Sequence, residues 1–357
     1  MTDCRRLARF FVGLAAFVSS ARAAEASPWT LPRGNLVLAA GYNFQTASQE
    51  FFESGAARNY PLRGRYTGST YVLGVRAGLA ENLEFEAQLP VRLVAYDSDP
   101  VIVLARPMGD TSAPNDFSYY RNNIINLARS ASGISDLVFA TRYRLAVRSA
   151  PSAAFAFELR IKVPTGYQGP SGTFGDRPTS AADFLANATR YVTPQNVRDD
   201  VTLGDGQVDI APSFLFGYAW RSRTFMRLDL GYNLRLGGAG HQVTGALRAG
   251  QALGDRLLVY GGIQCAFTVT QGRLLGISVA AVNPDVAAAD YTVENLLIRE
   301  LRFERDSIDV GAGLIVRLNP QAELNVGYQR TLWGRNTALV DAFNLAVAMR
   351  TSLLTGR

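Results

Sequence analysis

Between Thr224 and Leu236, Met226, Leu228, Leu230, Tyr232, Leu234 and Leu236 hold one parity, and Arg227, Asp229, Gly231, Asn233 and Arg235 hold the other. Successive side chains of an extended chain point to opposite faces, so a period of two specifies a strand with one apolar and one polar face. The pattern recurs from Gln321 to Leu332, where Ala322, Leu324, Val326, Tyr328 and Leu332 oppose Glu323, Asn325, Gly327, Gln329 and Thr331, and only Arg330 departs from it. It recurs again where Ile308 to Leu318 oppose Ser307, Asp309, Gly311, Gly313 and Arg317, and where Leu83 to Val91 oppose Asn82, Glu84, Glu86, Gln88 and Arg92. Weaker versions complete a series of twelve predicted strands, at 35 to 44, 65 to 79, 82 to 96, 134 to 147, 153 to 164, 206 to 219, 224 to 236, 242 to 253, 256 to 270, 306 to 318, 321 to 333 and 340 to 351. At roughly ten to fifteen residues they exceed the usual strand of a soluble sheet and match a tilted crossing of a bilayer.

The connections alternate strictly. Short turns fall at Ala80-Glu81, Arg148 to Ser152, Arg221 to Arg223, Gly254-Asp255 and Asn319-Pro320. Between them lie longer loops at 45 to 64, 97 to 133, 165 to 205 and 271 to 305, with shorter ones at Gly237 to His241 and Gly334 to Leu339. Membrane barrels keep short turns on the periplasmic side and long loops outside, so this alternation places both termini in the periplasm and requires an even strand count. The predicted fold class is all-β: a transmembrane antiparallel up-and-down β-barrel of about twelve strands, in a single domain over 24 to 357. A soluble β-sandwich or lipocalin-like barrel also alternates, but has no reason to sort short turns from long loops.

Composition is consistent with this reading. A mean hydropathy of +0.02 is ordinary for a soluble protein, but a barrel with lipid-facing and lumen-facing parities averages to the same value. No segment after the first 23 residues reaches the apolar length of a spanning helix. Those first residues have a basic start at Arg5 and Arg6, an apolar run from Leu7 to Val18 and Ala21-Arg22-Ala23 at the end, the pattern of a secretory signal peptide cleaved after Ala23. Cys4 precedes the apolar run and is not a lipid-attachment cysteine. Export through such a leader into an outer membrane implies a Gram-negative source.

The remaining chain has one cysteine, Cys265, and one histidine, His241, which excludes an internal disulfide and a cysteine/histidine metal centre. Loss of the leader lowers the formal charge from +6 to about +3, and the basic residues are scattered singly, so nucleic acid is not an expected partner. The expected partners are outer-membrane lipid, a small-molecule cargo and the outer-membrane assembly machinery, although the chain continues past Met349 to Arg357 rather than stopping at the terminal aromatic of many such barrels.

Three short motifs carry a family resemblance: Trp29-Thr30-Leu31-Pro32-Arg33-Gly34, Val163-Pro164-Thr165-Gly166-Tyr167, and Leu203-Gly204-Asp205-Gly206-Gln207-Val208-Asp209. With them the chain resembles, over most of its length, the outer-membrane proteins catalogued under meta-pathway phenol degradation and described as transporters. The resemblance implies a barrel that admits aromatic or other hydrophobic compounds. It carries no catalytic or ligand residues with it.

The polar parity puts Arg76, Glu84, Glu86, Arg92, Arg142, Arg144, Glu158, Arg160, Lys162, Asp209, Arg227, Asp229, Arg235, Arg248, Asp309, Arg317 and Glu323 in the lumen. Two readings of these charges stand: a salt-bridged lining that rigidifies the barrel, or a basic constriction that selects anions. Catalysis has little to work with. His241 lies in a short outer loop, no Gly-x-Ser-x-Gly elbow is present, and neither a catalytic residue nor a cofactor is expected. Leu203-Gly204-Asp205-Gly206 superficially suggests a phosphate loop, but strand rather than helix follows, and turn chemistry with Gly at positive φ and Asp bonding its own backbone accounts for it.

The loop from 97 to 133 is apolar for a surface loop, with Val101, Ile102, Val103, Leu104, Phe117, Tyr119, Tyr120, Ile124, Ile125 and Leu127, and Asn122 to Arg129 is a candidate short helix. Such a loop either constricts the barrel or offers a hydrophobic point of access, or else packs against other loops. Phe174, Phe184 and Tyr191 are candidate anchors of the longer, more polar loop. The sequence favours passive uptake of small, hydrophobic or aromatic molecules. The rival from another class is a non-conducting structural or adhesive barrel closed by its charge lattice, with an enzyme third.

Overall fold

The computed structural model describes residues 28–51, 55–60, 63–99, 101–102, 124–125, 128–145, 152–167, 169, 201–281 and 296–352. Twelve strands form the wall: β1 (Asn35–Ala47), β2 (Arg65–Ala80), β3 (Leu83–Asp97), β4 (Leu137–Leu145), β5 (Ala153–Val163), β6 (Val208–Ala219), β7 (Thr224–Leu236), β8 (Gln242–Leu253), β9 (Leu257–Thr268), β10 (Asp306–Arg317), β11 (Ala322–Arg335) and β12 (Asp341–Ser352). Each pairs antiparallel with its neighbours in sequence, and β12 pairs with β1, from Asn35 opposite Ser352 to Thr46 opposite Asp341, so the sheet closes. Closure satisfies every strand edge, the condition for a sheet to cross a bilayer. No α-helix occurs among the described residues.

All twelve predicted strands are present, and the parity explains why. Leu38, Leu73, Phe157, Leu230, Leu247, Phe343 and Met349 all stand exposed on the outer surface. The intervening polar positions turn inward, and Glu84, Glu86, Arg92 and Arg142 are each at most 2% exposed. An apolar outside with buried charges inside inverts the arrangement of a soluble domain and suits lipid.

The turns follow local chemistry. Asn319 Oδ1 accepts from the backbone N–H groups of Gln321 and Ala322, an Asx-type turn between β10 and β11. Arg223 at φ 65 and Gly254 at φ 68 take the left-handed position in the turns after β6 and β8.

Two bulges reset the pattern. The strand Arg129–Ile134 also pairs with β3, with Ile134 opposite Val91, whereas in β4 Val138 stands opposite Gln88. One extra residue therefore sits at Ser135-Asp136, facing Pro90, whose carbonyl accepts from Ser135 N–H and whose ring has no N–H to offer. The wall here begins at Arg129, earlier than the predicted boundary at 134. A second bulge, between Ile308 and Asp309, brings both Leu332 and Trp333 to the outer face.

Three small sheets cap the loop end. Gln49–Phe51 joins Ala57–Asn59 and Thr337–Ala338, Leu274–Ala281 pairs with Leu296–Arg302, and Val101–Ile102 pairs with Ile124–Ile125. The last pairing replaces the helix considered for Asn122 to Arg129, because Ile124–Ile125 and Arg129–Ile134 are both extended. Val103, Leu104, Phe117, Tyr119, Tyr120 and Leu127, with Phe174, Phe184 and Tyr191 of the following loop, lie outside the described residues.

Candidate permeation path

The register sets charges side by side across adjacent strands. Glu84 of β3 stands opposite Arg142 of β4, which stands opposite Glu158 of β5. Arg142 donates through Nε to Glu158 Oε2 at 3.0 Å and its Nη1 reaches Glu84, while Arg76 of β2 clasps Glu84 with Nε and Nη2, both at 3.0 Å. Arg160 donates to Glu158 at 3.0 Å and lies 3.9 Å from Glu86, which also accepts from Gln88. Buried carboxylates and guanidinium groups are tolerable only when paired in this way. This lattice lines the lumen along β2 to β5.

A second cluster lies nearer the loop end, where Lys162 of β5, Asp209 of β6 and Arg235 of β7 form a cross-strand row. Asp205 enters it from above: its carboxylate pairs with Lys162 and, at 2.7 Å, with Arg235 Nη2. Asp205 belongs to a segment, Val201 to Gln207, that runs inward instead of over the rim. Leu203 O accepts from Arg92 Nη1 at 2.8 Å and from Ser135 Oγ, and Leu203, Asp205 and Gln207 are all buried. Gly206 holds φ 66 and Gln207 N–H donates to Asp205 Oδ1 at 3.1 Å, which is the turn chemistry read from the sequence. The inward docking was not legible there. Burial alone would push the Asp205 carboxyl up, but Lys162 and Arg235 outweigh it and hold it below the usual carboxylate range. Burial beside Asp136 pushes the Tyr167 phenol well above its ordinary value, so Tyr167 remains the donor to Asp136 while accepting from Gly206 N–H.

At the turn end, Pro28 to Leu31 turn back into the barrel. Leu31 N–H donates to Glu84 Oε2 at 2.8 Å, and Thr30 and Leu31 are buried. Pro28 and Trp29 cross to the far wall and stand over Gly217 of β6 so closely that a Cβ there would lie 2.5 Å from the proline ring. The sequence offers no signal for this, since a four-residue stretch has no period to read.

Small residues, Ala246, Gly262, Gly311, Gly327, Ala346 and Ala348, line the lumen on β8 to β12 beside Arg248, Tyr260, Gln264 and Gln329. Two cavities lie in the lumen. One, of about 290 Å³ toward the loop end, is lined by Arg160, Lys162, Asp209, Arg227, Asp229, Arg235, Arg248 and Asp309 among others. The other, of about 360 Å³ toward the turn end, lies between Trp29 to Pro32 and Arg76, Glu86, Glu323, Ala346 and Arg350.

Of the charges singled out in the sequence, Arg76, Glu84, Glu86, Arg142, Glu158 and Arg160 thus meet in the first lattice. Lys162, Asp209 and Arg235 meet in the second. Arg227 is paired with Asp229 on its own strand, and Asp309 accepts from Thr331 at 2.7 Å and Ser307 at 3.0 Å. Arg144 instead donates to Glu81 O at 3.2 Å in the first short turn, and Arg317 is exposed near the fifth, opposite Glu323. His241 accepts the Arg235 backbone N–H at Nδ1, 3.0 Å, and so fastens the β7–β8 hairpin.

No family model matches the chain, and no curated protein matches it in sequence. Solved structures do match in shape. An outer membrane channel from Pseudomonas putida F1 superposes with a TM-score of 0.58 at 12% identity, over 91% of this chain and 98% of that one. The KdgM porin matches at 0.41 and 5% identity over 87% and 98%, and a mutant of the TodX monoaromatic hydrocarbon channel at 0.40 and 10% over 90% and 91%. The chain has the fold of an outer-membrane β-barrel.

Proposed function

We propose that this chain is a passive outer-membrane channel for small molecules, exported by a leader removed after Ala23 and set with its short turns in the periplasm. The observation that carries the reading is the pair of cavities, of about 290 and 360 Å³, that lie one toward each mouth of a closed barrel with an apolar outer surface. A barrel serving only as a scaffold would gain from packing that space, as interiors generally do. The fold shared with the Pseudomonas putida channel agrees with it. The sequence resemblance to phenol-degradation transporters favours an aromatic cargo, and the polar lining favours one carrying a hydrogen-bonding substituent, since a purely apolar solute would leave buried polar groups unmatched.

The rival, a non-conducting barrel, draws on a specific observation too: the charge lattice and the inward segments at both ends occupy much of the lumen. Planar bilayers separate the two. The channel reading expects discrete conductance steps from the purified protein and faster liposome uptake of phenol-sized aromatics than of disaccharides. A folded barrel giving neither refutes it.

A further inference from the structure

Resting on the channel reading, we infer that a thin partition of neutral hydrogen-bonding side chains, centred on Tyr260 and Asn325, is the constriction that sets conductance and selectivity. No residue lines both cavities. On β11 the boundary falls between Asn325, which lines the turn-end cavity, and Gly327, which faces the space above it. On β12 it falls between Ala346 below and Asn344 above. Two hydrogen bonds lie at that level. Tyr260 of β9 donates from its phenol to Asn325 Oδ1 at 2.9 Å, and Asn43 of β1 donates from Nδ2 to Asn344 Oδ1 at 2.5 Å. Tyr260, Asn325 and Asn43 are all buried.

Tyr260 reaches β11 by crossing β10, and the sequence makes room for it. A Cβ at Gly313 would lie 2.5 Å from the phenol oxygen, and one at Gly327 3.3 Å. The ring thus seats against the glycines of β10 and β11 and lines the space at that boundary. Above it the Arg248 guanidinium sits 5.5 Å from the ring centre, and Arg227 stands opposite Arg248 in the register with Asp229 already on it. A solute descending from the loop end meets the Arg248 guanidinium over the Tyr260 ring, in a space that Asp229 and Asp309 also line, and then a hydrogen bond that its own hydroxyl or carboxylate can replace. Neutral donors in a pore select by hydrogen-bond exchange and size, while a guanidinium at its mouth favours anions. The partition accordingly suits small planar solutes bearing an oxygen function, neutral or anionic, over cations.

The test is single-channel recording of the full chain with a salt gradient. Wild-type conductance is established first, since a wild-type barrel that never conducts removes the channel reading and the partition's role with it. Given a conducting wild type, Tyr260→Ala and Asn325→Ala are each expected to raise conductance about twofold or more, and Arg248→Gln to move the reversal potential toward cations. Arg223→Gln, in a surface turn, serves as the unchanged control. Tyr260→Phe, which keeps the ring on its glycine seat, covers the case in which the alanine variant does not fold, and is expected to weaken discrimination between phenol and benzene in liposome uptake. Folded variants with wild-type conductance, reversal potential and discrimination overturn the inference.

Discussion

Arg142 holds the first lattice together, because its guanidinium touches carboxylates from two other strands, Glu84 of β3 and Glu158 of β5, and lies 3.5 Å from Glu86. Its side chain is 1% exposed, and so is that of Glu84. Removing one partner of such a group leaves charge buried and uncompensated, which costs about 3–5 kcal/mol, whereas an isosteric apolar replacement of the whole set can be neutral. Arg142→Ala is therefore expected to lower unfolding stability by about that amount, read as the urea midpoint of the loss of the compact, heat-modifiable form on a gel. Replacing Arg142, Glu84 and Glu158 together should restore much of the loss. If Arg142→Ala unfolds at the wild-type urea concentration, the lattice has no structural role and its charges become free to serve permeation alone.

At the scale of elements, the strands were legible because period two is forced by a surface that is lipid on one side and polar on the other. Even the exceptions are informative. Ile134 and Phe139 both face outward although their parities differ, so the pattern flips at Ser135-Asp136, as an inserted residue demands. Arg330, the one break in its strand, lies on the outer face 3.4 Å from Asp341 near the loop end, where a charge can reach water.

The segment Val201 to Gln207 was legible only as a turn, because its inward course depends on partners from three other strands that no local pattern reports. Its docking has a defined pH dependence. The Asp205 carboxyl is held low in the folded state, so its ion pairs contribute fully above the ordinary carboxylate range near pH 4 and are lost only as pH falls through the lowered value. Channel current is expected to stay quiet from pH 8 to about 5 and to flicker on deeper acidification. Asp205→Asn should flicker across the whole range. A variant as quiet as wild type at neutral pH would show that the backbone contacts to Leu203 O hold the segment unaided.

For the whole molecule, the two faces of the wall make opposite demands on a single strand, and β7 states the contrast within a few residues. Arg227 and Arg235 are charged and buried, while Leu230, midway along the same strand, is 52% exposed. In a water-soluble barrel an arginine at an exposed outer position would change stability by no more than about 0.5 kcal/mol. In a bilayer the same position has no water to offer, and an arginine near the midplane costs about 2–4 kcal/mol. Leu230→Arg is thus expected to destabilise the barrel by that larger amount in lipid vesicles, with a smaller effect for Leu236→Arg at the loop end of the strand, where the side chain can reach the interface. The gradient with depth is the decisive part of the measurement. A general loss of β-sheet packing would penalise both sites alike, and only a surrounding hydrocarbon slab makes the cost fall toward the rim.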